Sequence, residues 1–570
     1  MVRSLQVNGC DIYDDAGKAT ALSQYYTTVY TIDDGNVPHC NRVMPRDTFT
    51  GFDISERDVV RAIYRMNADS APGIDCISPK FLKNVFPYLV KPLHKMFTLS
   101  FHTGYLPSDW KKGVIVPIYK KNGKPHFCES YRPICLTSCV AKIFERIIYE
   151  KLLKYLKENE IISTFQHGFL SKRSTVTNLL KCTYDWATAL DKKQSLDILY
   201  IDFEKAFDKV SHDKLIVKLE NIGIGGDLMN WLSNFIRNRT QCVKINQSLS
   251  PFEEATSGIA QGTLLGPLLF ILFINDLSSQ LVSPLSRIEL YADDSKLYAD
   301  CSSVEKCIDF YEDILNVEDW CNQWQLKVNT NKCDILHVGK NNLKFPYRLR
   351  DTVVPEKNFC KDLGITISND LRFRKHCESV AKIAHFKCRQ FSQTFSYKDR
   401  NFLVTLFSTY IRPIIEYNTS IWNPYYIHDV ELIENVQRKF TKFLPGLFYK
   451  PYHERLSILS LKTLEERRIF IDLILLYKII HQLIDIDFHE HFSFAAGRTR
   501  GHSYKLYVNC SRINCHKYHF FNRIVNVWNS LPSDVVLLVK LCNFKTKIFE
   551  LDLFSFCIGC AKVLFVLELF

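Results

Sequence analysis

Three aspartates carry the densest chemistry in this sequence. Asp293 and Asp294 are adjacent, inside the run Arg287-Ile-Glu-Leu-Tyr-Ala-Asp-Asp-Ser-Lys-Leu-Tyr298. Asp202 follows the largely apolar run Asp197-Ile-Leu-Tyr-Ile201. Two bare carboxylates side by side repel each other, so a cation should offset them. Magnesium suits such a site, because it prefers hard oxygen ligands, keeps several waters and takes the rest from substrate phosphates. Two magnesium ions held by Asp202, Asp293 and Asp294 would support in-line displacement at phosphorus, on a nucleoside triphosphate.

Carboxylates used this way need rigid supports. Ile288, Leu290 and Tyr291 before the pair, and Leu297 and Tyr298 after it, read as a tight β-hairpin with the two acids at its tip. Residues 197–201 read as a buried strand, and helical periodicity takes over through residues 203–210. Asp202 then stands where a strand leaves its sheet. Ser55 and Glu56 open a helix running to Arg65. Residues 141–156 form another, with Ile143, Ile147, Ile148 and Leu152 near one face and Lys151, Lys154 and Lys157 off it. Residues 371 to about 480 read as helical, and Leu403, Leu406, Phe407, Tyr410, Ile411 and Ile414 recur at helical spacing. Gln261 and Gly262 precede a helix that begins near Leu265 with Pro267 in its first turn. Gly262 would let the backbone approach a base pair or template closely. Lys120 and Arg132 flank a turn at Asn122-Gly123-Lys124. Together they could clamp a triphosphate, with Arg132 giving paired hydrogen bonds to phosphate oxygens. Lys121 and Lys124 remain open as alternatives to Lys120.

Tyr291-Ala-Asp-Asp294 resembles the signature of reverse transcriptases, and its surroundings resemble the polymerase region of non-LTR retrotransposons of the jockey-like, LINE-type group. Further blocks carry the resemblance in order along residues 20 to 550: Ala71-Pro-Gly-Ile-Asp75, Trp110 to Lys120, Tyr131-Arg-Pro-Ile134, Gln166-His-Gly-Phe169 with Ser174-Thr175, Ser257 to Thr263, Leu265-Gly-Pro-Leu268, Asp362-Leu-Gly364, Trp422-Asn-Pro424, Arg467-Arg468 and Trp528-Asn-Ser-Leu-Pro532. The resemblance implies an α/β fold, an α+β palm within a right-hand polymerase. Residues 51–370 would be fingers and palm (core about 101–370), 371–480 a helical thumb and 481–570 a mostly helical C-terminal region. Residues 1–50 would be a connector, with no endonuclease ahead of it.

The same resemblance implies roles for single residues. Phe207 would sit under the sugar and reject a 2′-hydroxyl, a core aromatic being the alternative. Lys332 would protonate departing pyrophosphate as a general acid, or be a solvent-exposed lysine. Arg132 sits in Tyr-Arg-Pro-Ile as in the family, and Gln261 and Gly262 lie in its template-side motif. Ala260 stands where the family usually has proline, so that loop is expected to be looser. The implied activity is RNA-directed DNA polymerisation with two magnesium ions, an RNA template, a DNA primer and dNTPs, and no obligate protein partner. The rival is a decayed copy that keeps the fold and only binds RNA; Cys76, Cys135 and Ala260 suggest drift. An RNA-templated RNA polymerase shares the palm acids, and Phe207 disfavours it.

Composition agrees with a polyanionic partner. The chain has 570 residues and a formal charge of +12, a modest excess for its length. It is 46% apolar and 24% charged, ordinary for a globular protein. Basic stretches at 237–241, 437–442 and 498–500 are candidate phosphate contacts. Met1 to Asn8 has no apolar signal core, so an intracellular location, nuclear or cytoplasmic, and reduced thiols are expected. Of twenty cysteines, Cys510 and Cys515 with His516 and His519, and Cys557 with Cys560, could be read as zinc ligands; free thiols fit their irregular spacing better. Residues 551–570 are strongly apolar but interrupted by Asp552, Lys562 and Glu568, which suits a terminal core helix better than a membrane span.

Overall fold

The computed structural model describes residues 2–38, 48–121, 123–395, 397, 399–495 and 502–558. The chain opens with the hairpin β1 (Leu5–Val7) and β2 (Cys10–Ile12) and the helix α1 (Asp15–Thr27), N-capped by Asp14. Helix α2 (Glu56–Tyr64) starts in the expected place, through a reciprocal capping box between Ser55 and Asp58. Helices α3 (Pro79–Thr103) and α4 (Ser108–Lys111) lead into strands β3 (Lys112–Tyr119) and β4 (Tyr131–Leu136). Helix α5 (Cys139–Glu158) buries Ile143, Ile147, Ile148 and Leu152 as its periodicity predicts. Helix α6 (Thr175–Asp191) precedes strand β5 (Leu196–Ile201).

After β5 the expected long helix over 203–210 is shorter: only α7 (Ala206–Lys209) is helical, and Lys205 before it has φ of +48°. The reason is tertiary. Phe203 makes a β-bridge to Val328, and the Glu204 N–H donates to the Lys327 carbonyl, so the strand conformation runs past Asp202 before the helix can begin. Helices α8 (His212–Asn221) and α9 (Gly226–Ile236) follow, then β6 (Arg239–Ile245), β7 (Ser248–Leu249), β8 (Glu253–Ala255) and α10 (Gly266–Ile274), which has Pro267 at its start. The expected hairpin is β9 (Arg287–Tyr291) and β10 (Asp294–Asp300). Helix α11 (Val304–Gln323), β11 (Asp334–Val338), the pair β12 (Arg348–Leu349) and β13 (Thr352–Val353), β14 (Glu356–Lys357), and the hairpin β15 (Phe359–Asp362) and β16 (Ile365–Ser368) complete this half.

Two five-stranded sheets organise these elements. The first has the order β4-β3-β6-β7 with β8 also on β6, and α1 packs on it through Leu22 and Tyr26 against Ile115, Val243 and Ile245. The second has the order β14-β11-β5-β10-β9 and is antiparallel except for the β11–β14 pair. Successive residues of a strand face opposite sides of its sheet. Leu199, Ile201, Leu297, Ala299 and Ile335 accordingly enter one core, with α3, α5, α10 and α11. Leu196, Ile198, Tyr298, Leu336 and Val338 enter another, with α6 and the helices after residue 370. The second sheet is therefore a wall shared by two cores. This is the mixed α/β, palm-type architecture expected.

The helices after the wall are α12 (Arg374–Thr394), α13 (Arg400–Leu406), α14 (Arg412–Glu416), α15 (Thr419–Trp422), α16 (Ile427–Phe443), α17 (Tyr452–Ile458) and α18 (Leu464–Ile480). The helix Phe520–Asn529 buries Phe520, Phe521, Ile524 and Trp528 in the same core. Here the helical spacing misplaces one residue. Leu403, Phe407 and Ile411 are buried, but Tyr410 is 57% exposed. A π-helical turn spans Phe407–Ile411, widening the helix by one residue and rotating the stripe, and Pro413, which lacks an N–H, follows it. No helix among the described residues is long and apolar enough to cross a membrane. Most of the apolar tail, residues 559–570, lies outside the described residues.

Candidate active site

The turn between β9 and β10 is two residues long, Ala292 and Asp293, because Tyr291 pairs with Asp294. Ala292 has φ of +56°, a left-handed conformation costly for any residue with a Cβ. The segment 166–168 holds it there. The Gln166 Oε1 accepts from the Ala292 N–H at 2.9 Å and from the Gly168 N–H at 2.7 Å. The His167 N–H donates to the Leu290 carbonyl at 2.8 Å. A Cβ at Gly168 would stand 2.5 Å from the Ala292 nitrogen, so this buttress needs glycine. Beneath the turn, Glu289 is buried between the His167 imidazole (3.2 Å) and the Lys181 ammonium (2.8 Å). The sequence offered Gln166-His-Gly168 only as part of a resemblance; its supporting role depends on a partner over a hundred residues away.

Strand pairing brings the three acids together at one end of β5 and β10, with Ser295 opposite Ile201. Burial pushes the Asp293 carboxyl up, the Asp202 charge adds to this, and the Arg132 guanidinium opposes it. Asp294 is pushed up to about 6, first by burial and then by Asp293, Asp362 and Asp202, with Lys296 opposing. Asp202 keeps neutralising company: the Asn329 Nδ2 donates to its Oδ2 at 3.2 Å, and the Lys332 Nζ lies 3.6 Å away. The Lys296 ammonium is buried and donates to the Asp362 carboxylate at 2.5 Å, tying β10 to β15 just behind Asp294. Neither Asn329 nor Lys296 stood out in the sequence; a lysine directly before the apolar Leu297-Tyr298-Ala299 of β10 was the available signal for the second. A cleft of about 120 Å³ opens here, lined by Asp202, Asp294, Lys332, Lys361 and Asp362 among others. Asp293 and Asp294, whose burial and mutual repulsion favour protonation, and Asp202 beside them are an oxygen donor set that fits divalent cations.

The cations expected opposite the acids converge. Lys120 follows β3, and its Nζ donates to the Glu129 carbonyl at 2.8 Å. Burial pulls its pKa down, and the nearby charges of Arg132 and Lys332 pull it further. Arg132, on β4, is exposed and its charge reaches Asp293. Asn122 of the intervening turn lies outside the described residues.

Phe207, Gln261 and Gly262 meet at a seam between α7 and the loop 257–262. The Ile259 N–H donates to the Phe207 carbonyl and the Gly258 N–H to the Val210 carbonyl, both at 2.8 Å. Phe207 is half-buried, stacked on Phe270 with ring centres 4.3 Å apart, and Phe169 stands edge-on to it at 6.4 Å. It thus has a core partner on one side and an exposed aromatic on another. The Gln261 Nε2 donates to Asp208 at 3.0 Å. The close approach that Gly262 permits is to protein: a Cβ there would stand 2.3 Å from the Cys135 carbonyl, and φ is +132°. The Gln261 carbonyl in turn accepts from the Cys135 N–H at 2.7 Å. The glycine is thus required by β4, whatever lies on the loop's other side.

The zinc candidates do not assemble. Cys510 is exposed and Cys515 half-buried, and neither joins a cluster of metal-ligating atoms among the described residues. His491, His516 and His519 instead surround the Tyr184 ring at 5.0–5.7 Å, and burial pulls their pKa values down. Cys560, Arg498 and Arg500 lie outside the described residues.

Comparison with known proteins agrees with this geometry. Residues 118–367 match the family model described as reverse transcriptase (RNA-dependent DNA polymerase). The chain is 27% identical over 431 residues to the probable RNA-directed DNA polymerase from transposon BS of Drosophila melanogaster, covering 73% of this chain and 47% of that one. It is 26% identical over 399 residues to the probable RNA-directed DNA polymerase from transposon X-element of the same species, covering 68% and 44%. It is 23% identical over 381 residues to the RNA-directed DNA polymerase from mobile element jockey, also of Drosophila melanogaster, covering 65% and 41%. The chain thus spans less than half the length of these curated relatives.

Proposed function

We propose, from the premise that residues 118–367 are a reverse transcriptase domain of the non-LTR retrotransposon kind, that this protein is an RNA-directed DNA polymerase acting at the Asp202, Asp293 and Asp294 cluster. One observation carries the reading: three carboxylates crowd one end of two paired strands, with Arg132 reaching Asp293, Lys332 beside Asp202, and Lys120 next to those two cations. Asp202, Asp293 and Asp294 are the residues that would hold two magnesium ions. When bound, such a pair activates a primer 3′-hydroxyl and neutralises charge on the phosphate oxygens.

The remaining work belongs to side chains. Lys120 and Arg132 neutralise the triphosphate, Arg132 through paired hydrogen bonds. Lys332, beside Asp202, supplies a proton to the departing pyrophosphate. Phe207 supports the sugar from below and leaves no room for a 2′-hydroxyl. Gln261 presents the loop 257–262 to the nucleotide. RNA template, DNA primer and dNTPs are the substrates. Residues 51–370 act as fingers and palm, 371–480 as thumb.

The test is extension of a labelled DNA primer annealed to an RNA template, with magnesium and dNTPs. Extension is expected, and Asp293→Asn or Asp202→Asn should each reduce it by on the order of 10²–10³, as for loss of one preorganised electrostatic group. Full activity in either variant would remove the metal assignment. A chain that binds the primer–template but never extends it would be the decayed copy instead.

A further inference from the structure

Helix α3 is the longest among the described residues, at 25 residues, and it contains no Asp or Glu. It carries Lys80, Lys83, Lys91 and Lys95 with two histidines. Its apolar stripe is already used, since Leu82, Leu93, Phe97 and Phe101 are buried in the first core. The opposite face presents Lys80, Asn84, Tyr88, Lys91 and Lys95 to solvent. Tyr88 is 83% exposed and Phe81 is 55% exposed. Next to them on α2, Tyr64 is exposed and stands edge-on to Phe86 at 5.1 Å.

This arrangement is costly for a helix with only a structural role. Lys91 and Lys95 are one turn apart, and like charges at that spacing destabilise a helix. Neighbouring cations have been matched: Glu150 of α5 pairs with Arg61 and Arg65, and Glu158 pairs with Lys154. Lys80, Lys91 and Lys95 have no ion pair among the described residues. The C-terminal end of the helix is set apart from the candidate site by a strand's length. Helix α3 connects through α4 to β3 at Lys112, and the nucleotide-side Lys120 follows the other end of that eight-residue strand, which spans about 26 Å.

We propose that the outer face of α3 is a docking surface for single-stranded RNA, distinct from the catalytic cleft. Lysines without partners supply phosphate contacts independent of sequence. Exposed aromatic rings between them supply stacking platforms, which every base can use. A membrane surface fits poorly, because a helix lying in an interface needs its apolar face free, and here that face is in the core. The proposal does not depend on polymerisation.

The experiment uses the full chain and two RNAs. One is a short RNA fully covered by an annealed DNA primer; the other is the same duplex with a long single-stranded RNA extension. The triple variant Lys80→Gln, Lys91→Gln, Lys95→Gln should bind the extended RNA about tenfold more weakly at moderate salt, with the log–log salt slope reduced by roughly 2, since each phosphate contact to a single strand contributes about 0.7. Tyr88→Ala should weaken it at least about fivefold. Binding of the short duplex should not change, and replacement of the three lysines by arginine should keep full affinity. Unchanged affinity for the extended RNA would overturn the proposal. So would an equal loss on the short duplex, which would put these lysines in the cleft. Loss of binding to anionic lipid vesicles with RNA binding intact would also overturn it. Failure of the wild-type chain to extend a primer would sink the polymerase reading alone, because this measurement is of binding.

Discussion

Asp294 makes the sharpest demand at the scale of single residues. Its carboxyl is pushed up to about 6 by burial and by Asp293, Asp362 and Asp202. A carboxyl raised in the folded state stabilises the fold fully below its ordinary value near 4, and that stability is lost as pH climbs through about 6. The difference between its ordinary value near 4 and about 6 corresponds to about 3 kcal/mol. In the cation-free protein this contribution should fade between about pH 4 and pH 6.5, measured by thermal unfolding. Added magnesium or manganese should raise Tm more at the higher pH, where no proton competes for the site. An equal gain at both would contradict a shared site for proton and metal. Phe207 poses a different question, because it has both a core partner in Phe270 and a place on the seam with the loop 257–262. Phe207→Val should lower the ratio of kcat/KM for dNTP over rNTP by about 10-fold or more, a loss worth about 1.4 kcal/mol of discrimination. A lower Tm with an unchanged ratio would assign the ring to the core. The acids were legible in the sequence because the adjacent pair, on its own no more than a turn signal, came with a third carboxylate, Asp202, at the end of an apolar run. The partner of Gly262 was not, since Cys135 is far away in the chain and only the folded β4 brings its carbonyl to 2.3 Å from a would-be Cβ.

Among elements, the β9–β10 turn shows how a local rule is broken and compensated. A two-residue hairpin turn that needs a positive φ would ordinarily place glycine first, and this one has Ala292. The Gln166 carboxamide accepts from both Ala292 and Gly168, both buried contacts. Gln166→Leu would leave two buried N–H groups without an acceptor, at about 1–3 kcal/mol each. The variant should lose primer extension by more than its change in Tm explains, because the turn that aims Asp293 relaxes first. Activity equal to wild type would show that the turn holds itself. Elements with their own punctuation were legible: Ser55 and Glu56 mark the start of α2, and the spacing of Ile143, Ile147 and Leu152 fixes the buried face of α5. Elements shaped by tertiary pairing were not. The bridge from Phe203 to Val328 delays α7, and the π-turn at Phe407–Ile411 swings Tyr410 outward.

At the scale of the whole molecule, the order of motifs made the mixed α/β, palm-type fold legible, while the division of labour between the two cores was not. Alternation along β5 was visible as an apolar run, but a run buried on both faces does not say what covers each face. Here Leu199 and Ile201 face the helices before residue 330, whereas Leu196 and Ile198 face α6 and the helices after residue 370. That shared wall bears on dissection. A protein shortened to end at residue 370 would keep all three aspartates and every strand of the second sheet, yet strip Trp186, Tyr298, Leu336 and Val338 of their cover. It should bind a hydrophobic dye, aggregate on expression and extend no primer. A soluble, cooperatively unfolding fragment would show that the sheet needs only one of its cores. Aggregation of the fragment would mean that the three aspartates and the smallest autonomous folding unit do not share a boundary, so a minimal folded fragment has to be sought from the far side of the sheet.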